Sequence, residues 1–407
     1  MSGAAGLDWL EGGITAVPGI LAAGLHCGIR VSGKKDLALI YSSTPAVAAG
    51  VFTTSQIVGA PVKVSREHLK GRVAQAIVAS SGNANVATGE QGIRDAKEMA
   101  ELVAQSLRIP LTHVLVASTG IIGQPLPMEK IRAGIPRLVK TLSPQGGRAA
   151  AEAIMTTDTR RKEAALRADV AGRAVTLGGI AKGAGMIAPH MATMFCFLAT
   201  DAALTRDALD RVLRRAVERS FNRITIDGDR STSDTVFLLA NGLAENRPLA
   251  KGDRHLQAFQ HALEALTQRL ALMIVQDGEG ATKLVEVRVS GARSHQDALS
   301  AARAVASSLL VKTALAGEDP NWGRIMAALG ASGAQVDEEK VAISYGEEPV
   351  TEKGQLRQGV HWQRVKQALA AKEVLIQVDL GLGSGQAQVW TSDLTEEYIK
   401  INARYTS

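Results

Sequence analysis

The residues best suited to chemistry are concentrated between Lys182 and Asp201. Four glycines, at positions 178, 179, 183 and 185, surround Lys182, so the backbone there can bend tightly and approach a ligand closely. Residues 193–199, Thr-Met-Phe-Cys-Phe-Leu-Ala, form the short apolar run typical of a buried strand. Thr193 therefore lies where a flexible loop becomes a core strand. Taken alone, this position is more typical of an ordinary first strand residue than of a catalytic one.

A threonine at such a junction could act as an N-terminal nucleophile. Its hydroxyl is weakly nucleophilic near neutral pH and needs an adjacent base. If the chain is cut before Thr193, the free α-amine, with a reference pKa of about 7.7–8.0, becomes that base. Before the cut the same nitrogen is an amide and cannot take a proton. Cleavage would therefore both expose and activate the nucleophile.

The wider stretch resembles a family signature. Lys182-Gly-Ala-Gly-Met186, followed by Met191-Ala-Thr-Met194, is similar to the pattern of the ornithine acetyltransferase family, also called the bifunctional glutamate N-acetyltransferase/amino-acid acetyltransferase family. The resemblance implies self-cleavage between Ala192 and Thr193 into an α chain (1–192) and a β chain from residue 193, with Thr193 as nucleophile. His190 departs from the pattern, because Asn or Ser is commoner there, and it places an ionisable group three residues from Thr193.

A second polar motif follows the strand predicted at 114–117. The resemblance implies that Thr119 and Gly120 of Ser118-Thr-Gly form an oxyanion hole, since a hydroxyl and a glycine amide can converge on one oxygen. A strand-ending turn is the alternative interpretation. The substrate-binding residues that the resemblance implies are Thr156 (with Thr157 as the alternative), Lys182, Thr193, Glu279, Asn402 and Ser407. From the sequence alone, Lys182 and Glu279 could instead be solvated loop residues.

The resemblance implies ping-pong acetyl transfer in arginine biosynthesis. Thr193 would take the acetyl group of N2-acetyl-L-ornithine and pass it to L-glutamate, and the opposite charges of Lys182 and Glu279 suit a zwitterionic amino acid. No cofactor is expected, and whether acetyl-CoA is a second acetyl donor stays open. One alternative is a self-cleaving N-terminal-nucleophile amidase or aminopeptidase, which would hand the acyl group to water. Another is a non-catalytic oligomeric scaffold, which would leave the chain uncut.

Composition argues against other classes of function. The net charge is +6, but Lys and Arg are scattered and aromatic residues make up only 3% of the chain, so a nucleic-acid partner is not expected. Asp227, Asp229 and Asp234 match no calcium-loop spacing, and we predict no metal site. Cys27 and Cys196 match no metal or redox spacing.

The surrounding elements predict an α/β protein. The resemblance implies mixed β-sheets sandwiched by helices, with a smaller α/β C-terminal portion. We predict a sandwich domain (1–242), a middle α/β domain (243–345) and a C-terminal α/β domain (346–407) whose tail reaches the active site. The sequence also predicts a hairpin within 36–52, a hairpin turn at 381–385, a helix from about 297 to 316 and a half-buried strand at 283–290.

Localisation and assembly are further expectations. The first thirty residues show no basic leader before an apolar core, and no apolar run reaches the roughly 18 residues of a membrane span. We therefore expect a cytoplasmic protein without a membrane partner. The α and β fragments should stay associated, and we expect an α2β2 heterotetramer.

Overall fold

The computed structural model describes residues 7–188 and 194–404. Within them, the larger sheet has nine strands: β1 (Leu7–Leu10), β2 (Ile20–Leu25), β3 (Leu37–Phe52), β4 (Val73–Asn83), β5 (Val114–Ile121), β6 (Lys162–Val170), β7 (Arg173–Lys182), β8 (Phe195–Thr200) and β9 (Thr235–Ala240). Six helices accompany this part of the chain: α1 (Ala60–His68), α2 (Gly89–Leu107), α3 (Met128–Lys140), α4 (Gly147–Ala153), α5 (Arg206–Arg219) and α6 (Leu256–Gln276).

The larger sheet is mixed. Its order is β1-β6-β7-β8-β9-β3-β4-β5, with β2 also paired to β3. The β4–β5 and β8–β9 pairs are parallel, and the other pairs are antiparallel. The predicted α/β class with mixed sheets and helices is therefore confirmed.

Strand β3 corrects the hairpin predicted within residues 36–52. The chain does not turn back at Ser42–Pro45 but continues as one strand, with a shift of register against β4 between Tyr41 and Ala46. Pro45 has no N–H to donate to a ladder, so a bulge rather than regular pairing is expected there. The first half of β3 pairs with β2 and the second half with β9, which joins the two halves of the sheet.

The two halves enclose one apolar core. Phe195, Phe197 and Phe237 of β8 and β9 lie in the same cluster as Ile40 of β3 and Leu115 of β5. Opposite side chains of the same strands face outward, where α5 and α6 cover one half and α1, α2 and α3 cover the other. The central run at β8 is therefore buried on both faces, as its unbroken apolar sequence predicted.

A smaller, six-stranded sheet follows: β10 (Leu284–Ala292), β11 (Ala342–Tyr345), β12 (Glu348–Glu352), β13 (Gln355–Leu356), β14 (Glu373–Asp379) and β15 (Gly385–Ser392), in the order β13-β12-β11-β14-β10-β15. Its helices are α7 (His295–Ser307), α8 (Leu309–Ala316), α9 (Trp322–Gly330) and α10 (Trp362–Ala370), and α11 (Glu396–Arg404) ends the described chain. Strands on both sides of residue 345 pair in this one sheet, while α6 packs on the larger sheet. The domain boundaries at 242 and 345 stay predictions.

Two local expectations were wrong in this region. The loop at 381–385 is not a hairpin turn, because β10 lies between β14 and β15 in the sheet. The helix expected from about 297 to 316 is two helices, broken at Ser308, whose hydroxyl accepts a hydrogen bond from the amide of Val311 and starts α8.

In residues 7–188 and 194–404, no single helix has the length and apolar composition to cross a membrane, although α7 and α8 together, bent by 56°, meet those two criteria.

Candidate active site

The predicted oxyanion-hole residues lie at the end of β5. There β5 runs parallel to β4, with Thr119 opposite Ser81 and Gly120 opposite Gly82. Thr119 is buried, and Gly120 has φ +133°, a conformation that L side chains rarely adopt. A Cβ at Gly120 would stand 2.3 Å from the carbonyl carbon of Gly82. Only glycine therefore fits between the two strand ends.

Arg30 connects these strand ends to Thr156. Its side chain packs against Gly82, where a Cβ would lie 2.7 Å from Arg30 Cγ. Its guanidinium donates to the carbonyl oxygens of Met155 at 2.9 Å and Thr156 at 3.0 Å. Arg30, Gly82 and Thr156 line a cavity of about 640 Å³. Of the two threonines considered from sequence, Thr156 thus borders a space that a small molecule could enter.

Asp158 connects Thr156 to Lys182. Its Oδ2 accepts from the Thr156 amide at 3.0 Å, and its Oδ1 accepts from the Gly183 amide at 2.7 Å and from Lys162 Nζ at 2.6 Å. Burial disfavours the charged carboxylate, but the ammonium groups of Lys162 and Lys182 outweigh it and hold the pKa of Asp158 below its usual range. Asp158 is therefore an anion at the centre of this region.

Lys182 is the last residue of β7 and is 1% exposed. Burial lowers the pKa of its ammonium group, and the neighbouring carboxylates of Asp158, Asp234 and Glu279 oppose that shift. The solvated-loop interpretation of Lys182 is thus wrong, since both its side chain and its strand position are fixed in the interior.

A second buried lysine completes the network. Lys162 Nζ lies between Asp158 and Asp277, at 2.6 Å from each carboxylate. Asp277 also accepts hydrogen bonds from the backbone of Thr159 and Arg160, which ties the end of α6 to the start of β6. Buried charges are tolerated when they are paired and hydrogen-bonded in this way.

Glu279 and Asn402, predicted from distant parts of the chain, are in contact. Asn402 Nδ2 donates to Glu279 Oε2 at 2.7 Å. The Glu279 amide donates to the Ala184 carbonyl at 2.8 Å, and its carboxylate lies against Gly185, where a Cβ would come within 2.5 Å of it. The helix α11 thereby lies beside the glycine-rich loop after Lys182.

That loop is also held by Asp227. Its carboxylate accepts from the amides of Met186 at 2.5 Å and Ile187 at 2.8 Å, and from the hydroxyl of Tyr398 at 3.2 Å. The Ile226 amide donates to the Ile187 carbonyl at 2.8 Å. Asp227 therefore holds the backbone of the loop at Met186 and Ile187. In the part of the chain that the structure describes, no group of three or more His, Cys, Asp or Glu side chains could hold a metal ion.

Similar polar contacts hold Met194, the first described residue after residue 188. Asp234 Oδ1 accepts from the Met194 amide at 2.8 Å, and the Thr235 amide donates to the Met194 carbonyl at 3.1 Å. His190, Ala192, Thr193 and Ser407 lie outside the described residues. The segment 224–235 thus contacts the chain on both sides of 189–193.

Comparison with known proteins decides the family. The model of the ArgJ family matches residues 21–407. The chain belongs to the ArgJ family. It is 51% identical over 403 residues to the arginine biosynthesis bifunctional protein ArgJ of Symbiobacterium thermophilum, covering 98% of this chain and all of that protein. It is 47% identical over 407 residues to the protein of the same name from a Synechococcus strain, covering 98% of each.

Among solved structures, this ArgJ-family chain is similar to the ornithine acetyltransferase of Mycobacterium tuberculosis in complex with ornithine. The identity is 41%, with 45% of this chain and 98% of that chain covered, and the TM-score is 0.43.

In this ArgJ-family chain, the predicted residues form two groups. Lys182, Glu279 and Asn402 lie around the loop 183–188. Thr119 and Gly120 lie at the end of β5, where Gly120 is opposite Gly82, a residue that lines the cavity bordered by Thr156. Asp158 joins the groups through its bonds to Thr156 and Gly183.

Sequence analysis missed the carboxylates that organise this site. Asp158 was not singled out from the sequence, and Asp227 and Asp234 were considered there as possible metal ligands. A usable signal was present at Asp234, which directly precedes the apolar run of β9. Arg30 gave no such signal, since its partners are 125 and 126 residues away.

Proposed function

We propose that this ArgJ-family protein is a self-cleaving glutamate N-acetyltransferase that moves the acetyl group of N2-acetyl-L-ornithine to L-glutamate in arginine biosynthesis. The observation that carries the proposal is the full-length family match, residues 21–407, to relatives named for arginine biosynthesis. The geometry supports it, because Lys182 and the contacting pair Glu279–Asn402 surround one loop.

The charges of the site suit an amino-acid substrate. An α-amino acid presents a carboxylate and an ammonium group, and the site offers the ammonium of Lys182 and the carboxylate of Glu279. Glu279 would bind an amine of ornithine, with Asn402 orienting its Oε2, and Lys182 would bind a carboxylate. Lys162 bonds both Asp158 and Asp277, while Asp158, Asp234 and Glu279 favour the charged form of Lys182 against its burial.

The reaction would begin with cleavage of the Ala192–Thr193 bond. The freed amine of Thr193 takes the proton of its own hydroxyl, and Oγ attacks the acetyl carbonyl of acetylornithine. The resulting oxyanion is stabilised by Thr119 and Gly120, a contribution of about 2.7–4 kcal/mol per donor in comparable sites. Ornithine leaves with a proton, and the amine of glutamate then attacks the acetyl ester and regenerates Thr193.

The sheet explains why the two fragments would stay together. Strand β8, from the β fragment, pairs with β7 of the α fragment, and β9 pairs with β3 of the α fragment. Separation would break both ladders and open the core. An α2β2 assembly, a cytoplasmic location and the use of acetyl-CoA as a second donor belong to the same proposal.

Intact mass under denaturing conditions tests the cleavage. The wild-type chain should give two fragments, 1–192 and 193–407, while Thr193→Ala should give one uncut species. A single uncut species in both samples contradicts the proposal and favours the non-catalytic scaffold.

A transfer assay tests the reaction. Acetylornithine with glutamate should yield acetylglutamate and ornithine, and the Thr193→Ala variant should yield neither. Ornithine and acetate released at the same rate without glutamate would instead identify the amidase alternative.

A further inference from the structure

A polar cavity of about 690 Å³ lies where the two sheets meet, and it is lined by none of the described residues predicted for the active site. Its walls come from α5 and α6, which cover the larger sheet, and from β10, β15 and α7 of the smaller sheet. Small-molecule sites are often found at such junctions and have volumes of this order. The charged and imidazole side chains of the lining are Arg219, Arg223, Glu264, Arg288 and His295.

Arg223 is the buried cation of this cavity. It ends the short 3-10 helix Phe221–Arg223 that follows α5, and it is 8% exposed. Burial lowers the pKa of its guanidinium, while the nearby Glu218 carboxylate opposes that shift and Arg219 adds to it. Arginine nevertheless stays protonated in proteins. A full positive charge therefore lies in the wall of the cavity.

The contacts of Arg223 leave this charge without a counter-charge. Its Nε donates to the Glu218 carbonyl at 3.1 Å, and its Nη2 donates to His295 Nε2 at 2.9 Å. His295 Nδ1 in turn donates to the Gln386 carbonyl at 2.6 Å. Neither a carbonyl nor an imidazole is an anion. Within residues 7–188 and 194–404, Nη1 makes no hydrogen bond and no carboxylate forms an ion pair with Arg223.

The other two arginines of the cavity differ from Arg223 in burial and pairing. Arg219 pairs with Glu264 at 3.1 Å and Arg288 pairs with Glu286 at 2.8 Å, and both side chains are about half exposed. Arginines are almost never buried unless they are paired. A buried guanidinium that lines a cavity and has no carboxylate partner therefore indicates a site for an anion.

We propose that this cavity binds the oxyanion group of a small polar molecule, either a carboxylate or a phosphoryl group, with Arg223 as the central contact. The planar fork of a guanidinium matches the geometry of both groups. Arg219 and Arg288 at the rim attract the same ligand. The backbone beside Arg223 is already fixed, because the Thr225 amide donates to the Trp390 carbonyl of β15 at 2.9 Å.

Calorimetric titration of the full-length protein with pyrophosphate and with citrate tests the proposal. Acetylornithine and glutamate are left out, so binding is measured apart from acetyl transfer. The wild type should bind one of these ions saturably, and the tighter binder shows whether the site takes a phosphoryl group or a carboxylate. Arg223→Gln keeps an amide donor but loses the charge, so it should weaken binding about tenfold or more, as for loss of a hydrogen bond to a charged group.

Arg215→Gln is the matched control. Arg215 lies one turn before Arg219 on α5 and pairs with the same Glu264 at 3.1 Å, but it does not line the cavity. The control removes the same charge from the same helix, so it should change the affinity far less than Arg223→Gln does. Arg288→Gln, at the rim, should weaken binding by an intermediate amount.

The absence of saturable binding of either ion to the wild type overturns the proposal. Equal weakening by Arg223→Gln and Arg215→Gln also overturns it, because that pattern indicates general attraction by surface charge. Should Arg223→Gln fail to fold, Arg288→Gln decides, and an unchanged affinity in that variant contradicts the site. Wild-type protein that transfers no acetyl group would overturn only the function proposed above, since the titration does not depend on it.

Discussion

The two sheets place their charged groups differently. In the larger sheet, Lys162 and Lys182 are fully buried on neighbouring strands and are balanced by carboxylates from three other segments. In the smaller sheet, the inward positions of the paired strands are almost all aliphatic, as in Val285, Val287 and Val289 of β10. A buried lysine bonded to two carboxylates thus lies among the predicted site residues, while aliphatic side chains form most of the core of the smaller sheet.

The largest effect should come from breaking the buried ion network. Asp158→Ala leaves Lys162 with one carboxylate and removes the acceptor for the Gly183 amide, so it should destabilise the protein by about 3–5 kcal/mol. Val287→Ala in the smaller sheet should cost only about 2 kcal/mol. Urea unfolding of both variants measures the contrast, and equal losses would show that the network is no more important than ordinary packing.

The next prediction separates catalytic from structural threonines. Thr119→Val removes one oxyanion donor and should lower kcat about 10²–10³-fold with little change in KM. Thr351→Val, in the smaller sheet, removes the acceptor for the Ile343 amide and should cost about 1–3 kcal/mol in stability without altering kcat. Steady-state kinetics and urea unfolding of both variants test this, and full activity in Thr119→Val would exclude its hydroxyl from the oxyanion hole.

A smaller effect is expected at the substrate end of the site. Glu279→Gln keeps the shape that packs on Gly185 but loses the charge, so KM for acetylornithine should rise about tenfold or more, as for loss of a hydrogen bond to a charged group. Asn402→Ala, which only releases Glu279 Oε2, should raise KM less. A change in kcat with unchanged KM in both variants would contradict a binding role.

The smallest expected effect is a dependence of stability on pH, and it arises at Lys312, where α8 packs beside the smaller sheet. Lys312 is buried, with its Nζ donating to Thr391 Oγ1, and burial lowers its pKa to about 8. Between pH of about 8 and 10.5, the ordinary pKa of a lysine side chain, the unfolded chain binds more protons at this site than the folded one. Lys312 should therefore make stability rise with pH across that window.

Urea unfolding at several pH values across this window tests the contribution. Lys312→Met should have a flatter dependence of stability on pH than the wild type. Parallel curves for the two proteins would mean that Lys312 keeps an ordinary pKa in the folded state.

Local patterns were sufficient to predict much of this molecule. Unbroken apolar residues predicted β8, and alternating valines predicted β10, because those patterns are set by burial on two faces or on one. The hairpin within 36–52 was wrong because a proline between two apolar runs indicates a turn as readily as a bulge, and pairing with β9, almost 190 residues away, decides between them.

In the site, too, residues marked by local sequence could be predicted, while those defined by long-range contacts could not. Thr119, Lys182, Glu279 and Asn402 were predicted as site residues because of the family resemblance, and the structure brings Glu279 and Asn402 into contact. Asp158, Asp227 and Asp234 were not found as site residues, because their roles depend on backbone amides that only the folded chain brings to them.

The path of β3 has a consequence for the order of events as the chain is made. Residues 47–52 leave the ribosome early, yet their ladder partners at 235–240 emerge after more than half of the protein has been synthesised. Pairing between such distant segments forms slowly, because the entropy of closing a long loop is lost before the strand contacts stabilise it. Since Met194 is held by the residues that begin β9, the proposed cut at residue 193 follows closure of the sheet. Self-cleavage would thus occur only in chains in which β3 has already paired with β9.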